Sequence, residues 1–348
     1  MRSLTPFLLL FLLLCSCERR PLIDPGESGI YAEIAVEFDW SLASMQPGGM
    51  TAIFYPEDGS APMIHKTGDN LSTVRLRAGG YHVVGFNYSF DEFDVLRFRG
   101  TEHYETLEAY AVTVPTVASG LTQIYNPIGH PDILAACHVD DFVVTDSMVA
   151  YTTQVRNLAM KHSQTRTAAS LLLRPVRVVA PGYVKVHLKG VNYLRSAGGV
   201  VTGLSESVFL ATGKGSPVSA CVPLDFTTPV FYEGSKINGI VSGSYTTFGM
   251  LPSQTETKSA HRYGFLFSSV LLDKERSVFE QWFDVAGRLE QTVDVNLNTI
   301  LRLDLELGRS QNPDDNTPTI VVPQVQVEDE GAFDVNVGDW GEEENVYL

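Results

Sequence analysis

Alternation of apolar and polar residues with a period of two runs through most of this chain, the pattern of strands with one buried and one solvated face. From Ala32 to Trp40, Ile34, Val36, Phe38 and Trp40 fall on one side, and Glu33, Glu37 and Asp39 on the other. A second strand is predicted over Met50 to Tyr55, closed by the turn Pro56-Glu57-Asp58-Gly59. Ser72 to Arg77, a turn at Gly79-Gly80 and the return from Tyr81 to Tyr88 read as a hairpin. Further strands are predicted over residues 103–114, 121–125 and 133–144. Between 147 and 162, Met148, Tyr151, Val155 and Leu158 make an incomplete stripe at helical spacing, the one helix predicted.

The small, polar run Ser163 to Ser170 marks a boundary, and the same texture then restarts. Strands are predicted over Ser170 to Val179, Tyr183 to Gly190, Val200 and Val201, and Ser207 to Leu210, while residues 237–251 are rich in Gly, Ser and Thr with aromatics at Tyr245 and Phe248, and residues 262–272 are strongly apolar. Val285 to Leu297 reads as a second hairpin, turning at Gly287. Ile300 to Leu307 sets Leu301, Leu303, Leu305 and Leu307 against Arg302, Asp304 and Glu306. After the break Asn312 to Pro318, short alternating runs return at 320–327 and 333–337. The fold class expected is all-β: tandem β-sandwiches over 31–167 and 168–310, then an acidic segment, 311–348, with one or two strands.

The N-terminus departs from this pattern. Leu4 to Leu14 is almost unbroken apolar sequence behind Arg2, about half the roughly 20 residues a membrane-spanning helix needs, and it suits the apolar region of a signal peptide. The run ends in Leu14-Cys15-Ser16-Cys17, which resembles a bacterial lipobox. Such a signal implies a peptide over 1–16, diacylglycerol joined to the Cys17 thiol through a thioether, cleavage before Cys17, and acylation of the new amino group. Two acyl signals suffice for stable anchoring, since each buried CH₂ contributes roughly 0.8 kcal/mol. Residues 17–30, rich in Pro, Gly and charge, then read as a tether.

Composition narrows the partners. Apolar residues make up 44% and charged residues 19%, a globular balance. The net charge of −16 offers no basic stripe for nucleic acid or an anionic membrane surface. Much of the excess is local, with eight acids and no Lys or Arg from Glu328 to the end. Cys137 and Cys221 remain in the mature chain and read as two buried thiols, although an envelope compartment also permits a bridge.

No catalytic motif emerges, and the reading is non-enzymatic, without cofactor or metal. Gly203-Leu204-Ser205-Glu206-Ser207 lacks the closing Gly of a nucleophile elbow and reads as a turn. Cys137-His138 with Asp140 and Asp141, His130 upstream, is the one metal-like cluster, but neighbours on a strand point to opposite faces. Asp314-Asp315-Asn316 lacks the Gly and Glu of a calcium loop. Gly79-Gly80 and Gly198-Gly199 read as turns. Trp40, Tyr55, Tyr81, Phe86, Tyr88 and Phe90 form either a sugar platform or, on the commoner reading, core.

The order of several segments resembles the Bacteroidales fimbrillin-type lipoproteins, especially their minor fimbrial anchor and assembly subunits and a related lipoprotein family. The segments are Cys17-Glu-Arg-Arg-Pro-Leu22, Val36-Glu-Phe-Asp-Trp-Ser41, Gly49-Met-Thr-Ala-Ile-Phe-Tyr-Pro56 and Gly80-Tyr-His-Val-Val-Gly-Phe-Asn87. Later come Lys189-Gly-Val191, Thr202-Gly-Leu-Ser-Glu-Ser207, Leu210-Ala-Thr-Gly213 and Phe333-Asp-Val-Asn-Val337 before Asp339-Trp340. The resemblance implies transthyretin-like sandwiches, an anchor or accessory role in a fimbrium, and stalk subunits as partners through strand exchange. It implies a place at the outer membrane, with its face left open because Arg19 and Arg20 follow Glu18 where a surface-export signal is acidic. Asp146-Ser147-Met148 is similar to the acceptor for O-glycosylation in these bacteria, which makes Ser147 a candidate modified residue. The resemblance also implies relatives matured by a protease cutting after Arg; Arg156, Arg166 and Arg174 flank the central boundary here, and nothing in the sequence marks one of them as a site. The alternative function is a glycan-binding surface lipoprotein beside an outer-membrane importer.

Overall fold

A computed structural model describes residues 30–115, 126–159, 167–252, 263–297, 299–308 and 320–326. Cys17 with the signal and tether, the strand expected at 121–125, Arg166, the Asp314 run, the strand expected at 333–337 and the acidic tail lie outside them. The chain falls into two compact units, a smaller one of Met1–Ala35, Thr73–Gly79 and Val143–Ser170, and a larger one comprising the rest.

Among the described residues the regular structure is almost entirely β, in five sheets. Strands β1 (Tyr31–Phe38), β4 (Leu71–Arg77) and β10 (Ala169–Leu173) form a sheet in the order β10-β1-β4. A second sheet uses β2 (Met50–Pro56), β3 (Met63–Thr67), β5 (Gly79–Asn87), β9 (Ala135–Val144) and β11 (Val176–Arg177), ordered β11-β9-β5-β2-β3. A third, β15-β14-β7-β6, joins β6 (Leu96–Arg99), β7 (Glu108–Ala111), β14 (Ser207–Phe209) and β15 (Lys214–Gly215). The fourth, β20-β19-β13-β16-β8, takes β8 (Asn126–Pro127), β13 (Leu194–Ser205), β16 (Ser219–Asp225), β19 (Gly264–Leu271) and β20 (Val278–Asp284). The fifth, β17-β18-β12-β22-β21, holds β12 (Ala180–Lys189), β17 (Val230–Phe231), β18 (Asn238–Thr247), β21 (Leu289–Asp294) and β22 (Thr299–Leu307), with β23 (Ile320–Val321) also on β12.

The period-two pattern is realised as burial. Ala32, Ile34, Val36 and Phe38 of β1 are buried, as are Leu303, Leu305 and Leu307 of β22, although Leu301 is exposed. Three glycine readings need correction. β4 and β5 meet at Ala78, yet they belong to different sheets, so Gly79 (φ +150°) carries the chain across and closes no hairpin. Gly287 (φ +80°) does the same between β20 and β21. Alternation looks alike whether the next strand pairs with the last or crosses to another layer, which explains both differences. Gly198-Gly199 is no turn, because it lies within β13, paired on both sides. A Cβ at Gly199 would stand 2.3 Å from the Phe265 ring, so the glycine makes room for that side chain.

Within the smaller unit, helix α1 (Asp146–Ala159) starts where Thr145 Oγ1 accepts the Met148 N–H at 3.4 Å. Asp146 in the first turn suits the positive end of the helix. The buried positions at this end are Val149 and Thr152, while Tyr151, expected in the stripe, is exposed. The main-chain N–H of Glu33 donates to Thr152 Oγ1 at 3.0 Å.

Among the described residues of the larger unit, a continuous apolar core runs from Ile53, Phe86 and Leu107 to Val186, Phe265 and Leu305, and Val200, Cys221 and Leu266 form a smaller separate cluster. The pairings of β9 with β11, β7 with β14, and β8 with β16 join strands from before and after residue 167. A half-buried ion cluster reinforces the second. Arg99 makes a bidentate pair with Glu108 (2.6 and 3.0 Å) and reaches Glu206 at 3.1 Å, and Ser207 Oγ donates to Glu108.

Candidate assembly site on the edge of β12

β12 lies at the centre of its sheet, with its two edges occupied differently. On one side, residues 180–189 pair antiparallel with all of β18. On the other, Gly182–Val186 pair parallel with Leu303–Leu307 of β22, and then the partner changes: Leu188 and Lys189 pair parallel with Ile320 and Val321 of β23. One edge is therefore shared by two segments in tandem.

Gly308 creates the gap between them. Its φ is +82°, and a Cβ there would stand 2.3 Å from the main-chain oxygen of His187. Only glycine leaves the sheet at that point without displacing β12. β23 then takes the edge up again. The Val322 N–H donates to Lys189 O at 2.8 Å, and Ile320 and Val322 are each 1% exposed. Burying one Ile and one Val contributes roughly 3–6 kcal/mol, while fixing the backbone of three residues costs about 3–6 kcal/mol. The docking of this segment is close to balance.

His187 sits at the changeover. It shares the strand face of Tyr183, Lys185 and Lys189, all exposed, yet is itself buried. Its Nε2 stands 2.5 Å from Glu306 Oε1, and its Nδ1 contacts the Tyr232 hydroxyl. A carboxylate can only accept, so Nε2 carries a proton, and in the neutral ring Nδ1 accepts from Tyr232. Burial, then the Glu306 charge, push the Tyr232 hydroxyl above its ordinary pKa. The sequence holds one sign of this site, a histidine in an otherwise solvated row. The partners Tyr232 and Glu306 lie too far along the chain to be read from it.

The other candidates are distributed over the molecule. Ser147 is exposed at the start of α1, its Oγ 2.7 Å from Thr145 Oγ1. Trp40, Tyr55, Tyr81 and Phe86 are buried, and Tyr88 and Phe90 pack half-buried against the core. Cys137 and Cys221 are thiols not joined in a disulfide, and burial pushes the pKa of each up to about 12. His138 is exposed while its neighbour Cys137 is half-buried, and His130 Nε2 donates to Pro223 O at 2.7 Å. Ser205 and Ser207 are buried, their hydroxyls bonded to Met250 O and Glu108. Among the described residues no three His, Cys, Asp or Glu side chains group as for a metal, and no helix is long and apolar enough to cross a membrane.

Residues 16–225 match the model of the family described as domain of unknown function DUF5119. The chain belongs to that family. It is also 24% identical to the "Putative fimbrium anchoring subunit Fim4B" of Bacteroides ovatus, over 97% of this chain and 95% of that protein. Among solved structures it is similar to a "putative adhesin" from Bacteroides ovatus, with a TM-score of 0.58 and 19% identity over 85% of this chain and 94% of the other. That likeness shows a shared β-sandwich fold. The fimbrial anchor protein Mfa2 from Porphyromonas gingivalis aligns at a TM-score of 0.45 and 13% identity, over 83% and 95% of the two chains.

Proposed function

We propose that this chain is a lipid-anchored, non-enzymatic subunit of a fimbrial or adhesive surface assembly, acting as its anchor or an accessory. The observation that carries the reading is the nearly end-to-end match to the "Putative fimbrium anchoring subunit Fim4B" of Bacteroides ovatus. The lipobox-like run before Cys17 supports attachment of acyl chains there, at the outer membrane. A lipid on the N-terminus keeps that end at the bilayer, which favours the anchor role over the tip.

Contact with stalk subunits by strand exchange is part of the proposal, and the β12 edge supports it. A short parallel segment, separated from β22 and docked near energetic balance, is what a partner's strand would replace through main-chain hydrogen bonds and alternate apolar plugs. Ser147 is proposed as an O-glycosylation site, since its hydroxyl is exposed.

The test is to tag the full chain at its C-terminus in a Bacteroidales host and solubilise the outer membrane gently. Mass spectrometry of the tagged chain should find acyl groups on Cys17 and a glycan on Ser147, and co-purified proteins should include other fimbrial subunits. Cys17→Ala should move the chain into soluble fractions. Persistence of the variant in the outer membrane would remove the lipid anchor from the proposal. Recovery of an importer barrel without fimbrial subunits would overturn the assembly role.

A further inference from the structure

The solvent face of the β12 sheet carries a trough of about 480 Å³, within the roughly 300–1,000 Å³ usual for small-molecule sites. Register explains its shape. Tyr183 lies opposite Ser244 of β18 and Asp304 of β22, and Lys185 lies opposite Ser242 and Glu306. Long side chains on β12 and β22 thus stand beside exposed serines on β18, and the difference in height makes the depression.

The wall is braced before any ligand arrives. The Arg302 guanidinium lies 4.5 Å from the centre of the Tyr183 ring, and its Nε is 2.5 Å from Asp304 Oδ2. Asp304 Oδ1 in turn accepts the Tyr183 main-chain N–H at 3.2 Å. Arginine covers one face of the ring, and Tyr183 nevertheless remains 47% exposed, with only small serines opposite on β18. Side chains already fixed by one another lose little further entropy on binding.

We propose that this trough binds a short stretch of neutral glycan. Lys185 and Arg302 stand among Asp304, Glu306 and Glu290, so the signs alternate and no single-sign field selects an anion or a cation. A neutral sugar matches that mixture, because each hydroxyl both donates to a carboxylate and accepts from an ammonium, guanidinium or serine. Its C–H face suits the open side of an aromatic ring. A peptide strand fits less well, because the main-chain groups of β12 beneath the trough are already paired with β18 and β22. Glycan binding here does not depend on the fimbrial reading, since it concerns a different face of β12 from the shared edge.

The test is affinity electrophoresis of the full mature chain through gels containing mannan, soluble starch, arabinogalactan or dextran sulfate. Retardation is expected in at least one of the three neutral gels. Tyr183→Ala should weaken it at least tenfold. Ser244→Trp, which fills the trough and leaves the Tyr183–Arg302–Asp304 brace in place, should abolish it with the melting temperature unchanged. No retardation in any neutral gel, retardation by dextran sulfate alone, or full retardation of Ser244→Trp would each overturn the proposal.

Discussion

Glu108 is a carboxylate at 7% exposure in a mostly apolar interior, and it is tolerable there only because of what surrounds it. Burial raises its pKa, but hydrogen bonds from Arg99 and Ser207 and the charge of Arg99 lower it further, so it sits below the ordinary carboxylate range. A depressed folded-state pKa contributes stability above the unfolded value, about 4.3 for Glu, and that contribution is lost as pH falls through the folded value. Glu108→Gln should therefore destabilise the chain at pH 7 by about 2 kcal/mol, less than the 3–5 of a fully buried pair because Arg99 is 43% exposed. The deficit should shrink towards zero below pH 4, and urea unfolding of both proteins at the two pH values reads it directly. An equal deficit at both would show that the charge is not what matters. In the sequence, Glu108 looks like any polar residue on a strand. Arg99 is near enough to be paired with it by eye, but Glu206, just before β14, and Ser207, at its start, come from about a hundred residues away and leave no local mark.

Strands were legible as strands because burial on one face forces alternation, and β1, most of β12 and the second half of β22 keep to it, whereas β2 is buried on both faces. Their partners were not legible, since register depends on neighbours tens of residues away, and two apparent hairpins proved to be crossings between sheets. At the changeover on the β12 edge, the two sides of the gap should respond differently to substitution. Gly308→Ala places a side chain at φ +82° and against His187 O, which should cost roughly 1–3 kcal/mol or more. β23 should behave in the opposite way. Ile320→Ala in a fixed core would cost about 2–5 kcal/mol. Here the loss cannot exceed the docking free energy of the segment, after which the segment simply leaves. Ile320→Ala and the double variant Ile320→Ala/Val322→Ala should thus shift the denaturation midpoint by nearly the same small amount. Both should become quickly cleaved by protease between residues 309 and 326. Additive, large losses would show that β23 is integral to the fold and poorly suited to exchange.

At the scale of the molecule, alternation also hides how the halves depend on each other. The small, polar run at 163–170 separates two stretches of similar texture, yet β11, β14 and β16, all after it, complete sheets begun by β9, β7 and β8 before it. Apolar side chains from both stretches share one core, Phe86 and Leu107 among them from the first and Leu204 and Val208 from the second. A fragment ending at residue 167 would expose the edge of β7 that pairs with β14, together with buried Leu107, Ala109 and Ala111. Unpaired edges beside apolar surface favour aggregation. Expressed alone, that fragment should be poorly soluble or lack sharp near-ultraviolet circular dichroism. Supplying residues 168–326 as a separate chain should restore it, because the missing strands bring their hydrogen bonds with them. The intact chain should lose secondary and tertiary signals together on heating, as cooperativity within one core requires. A soluble fragment with native-like signals, or two well-separated transitions in the intact chain, would show that the pairings across residue 167 add little, and that each stretch holds its own fold.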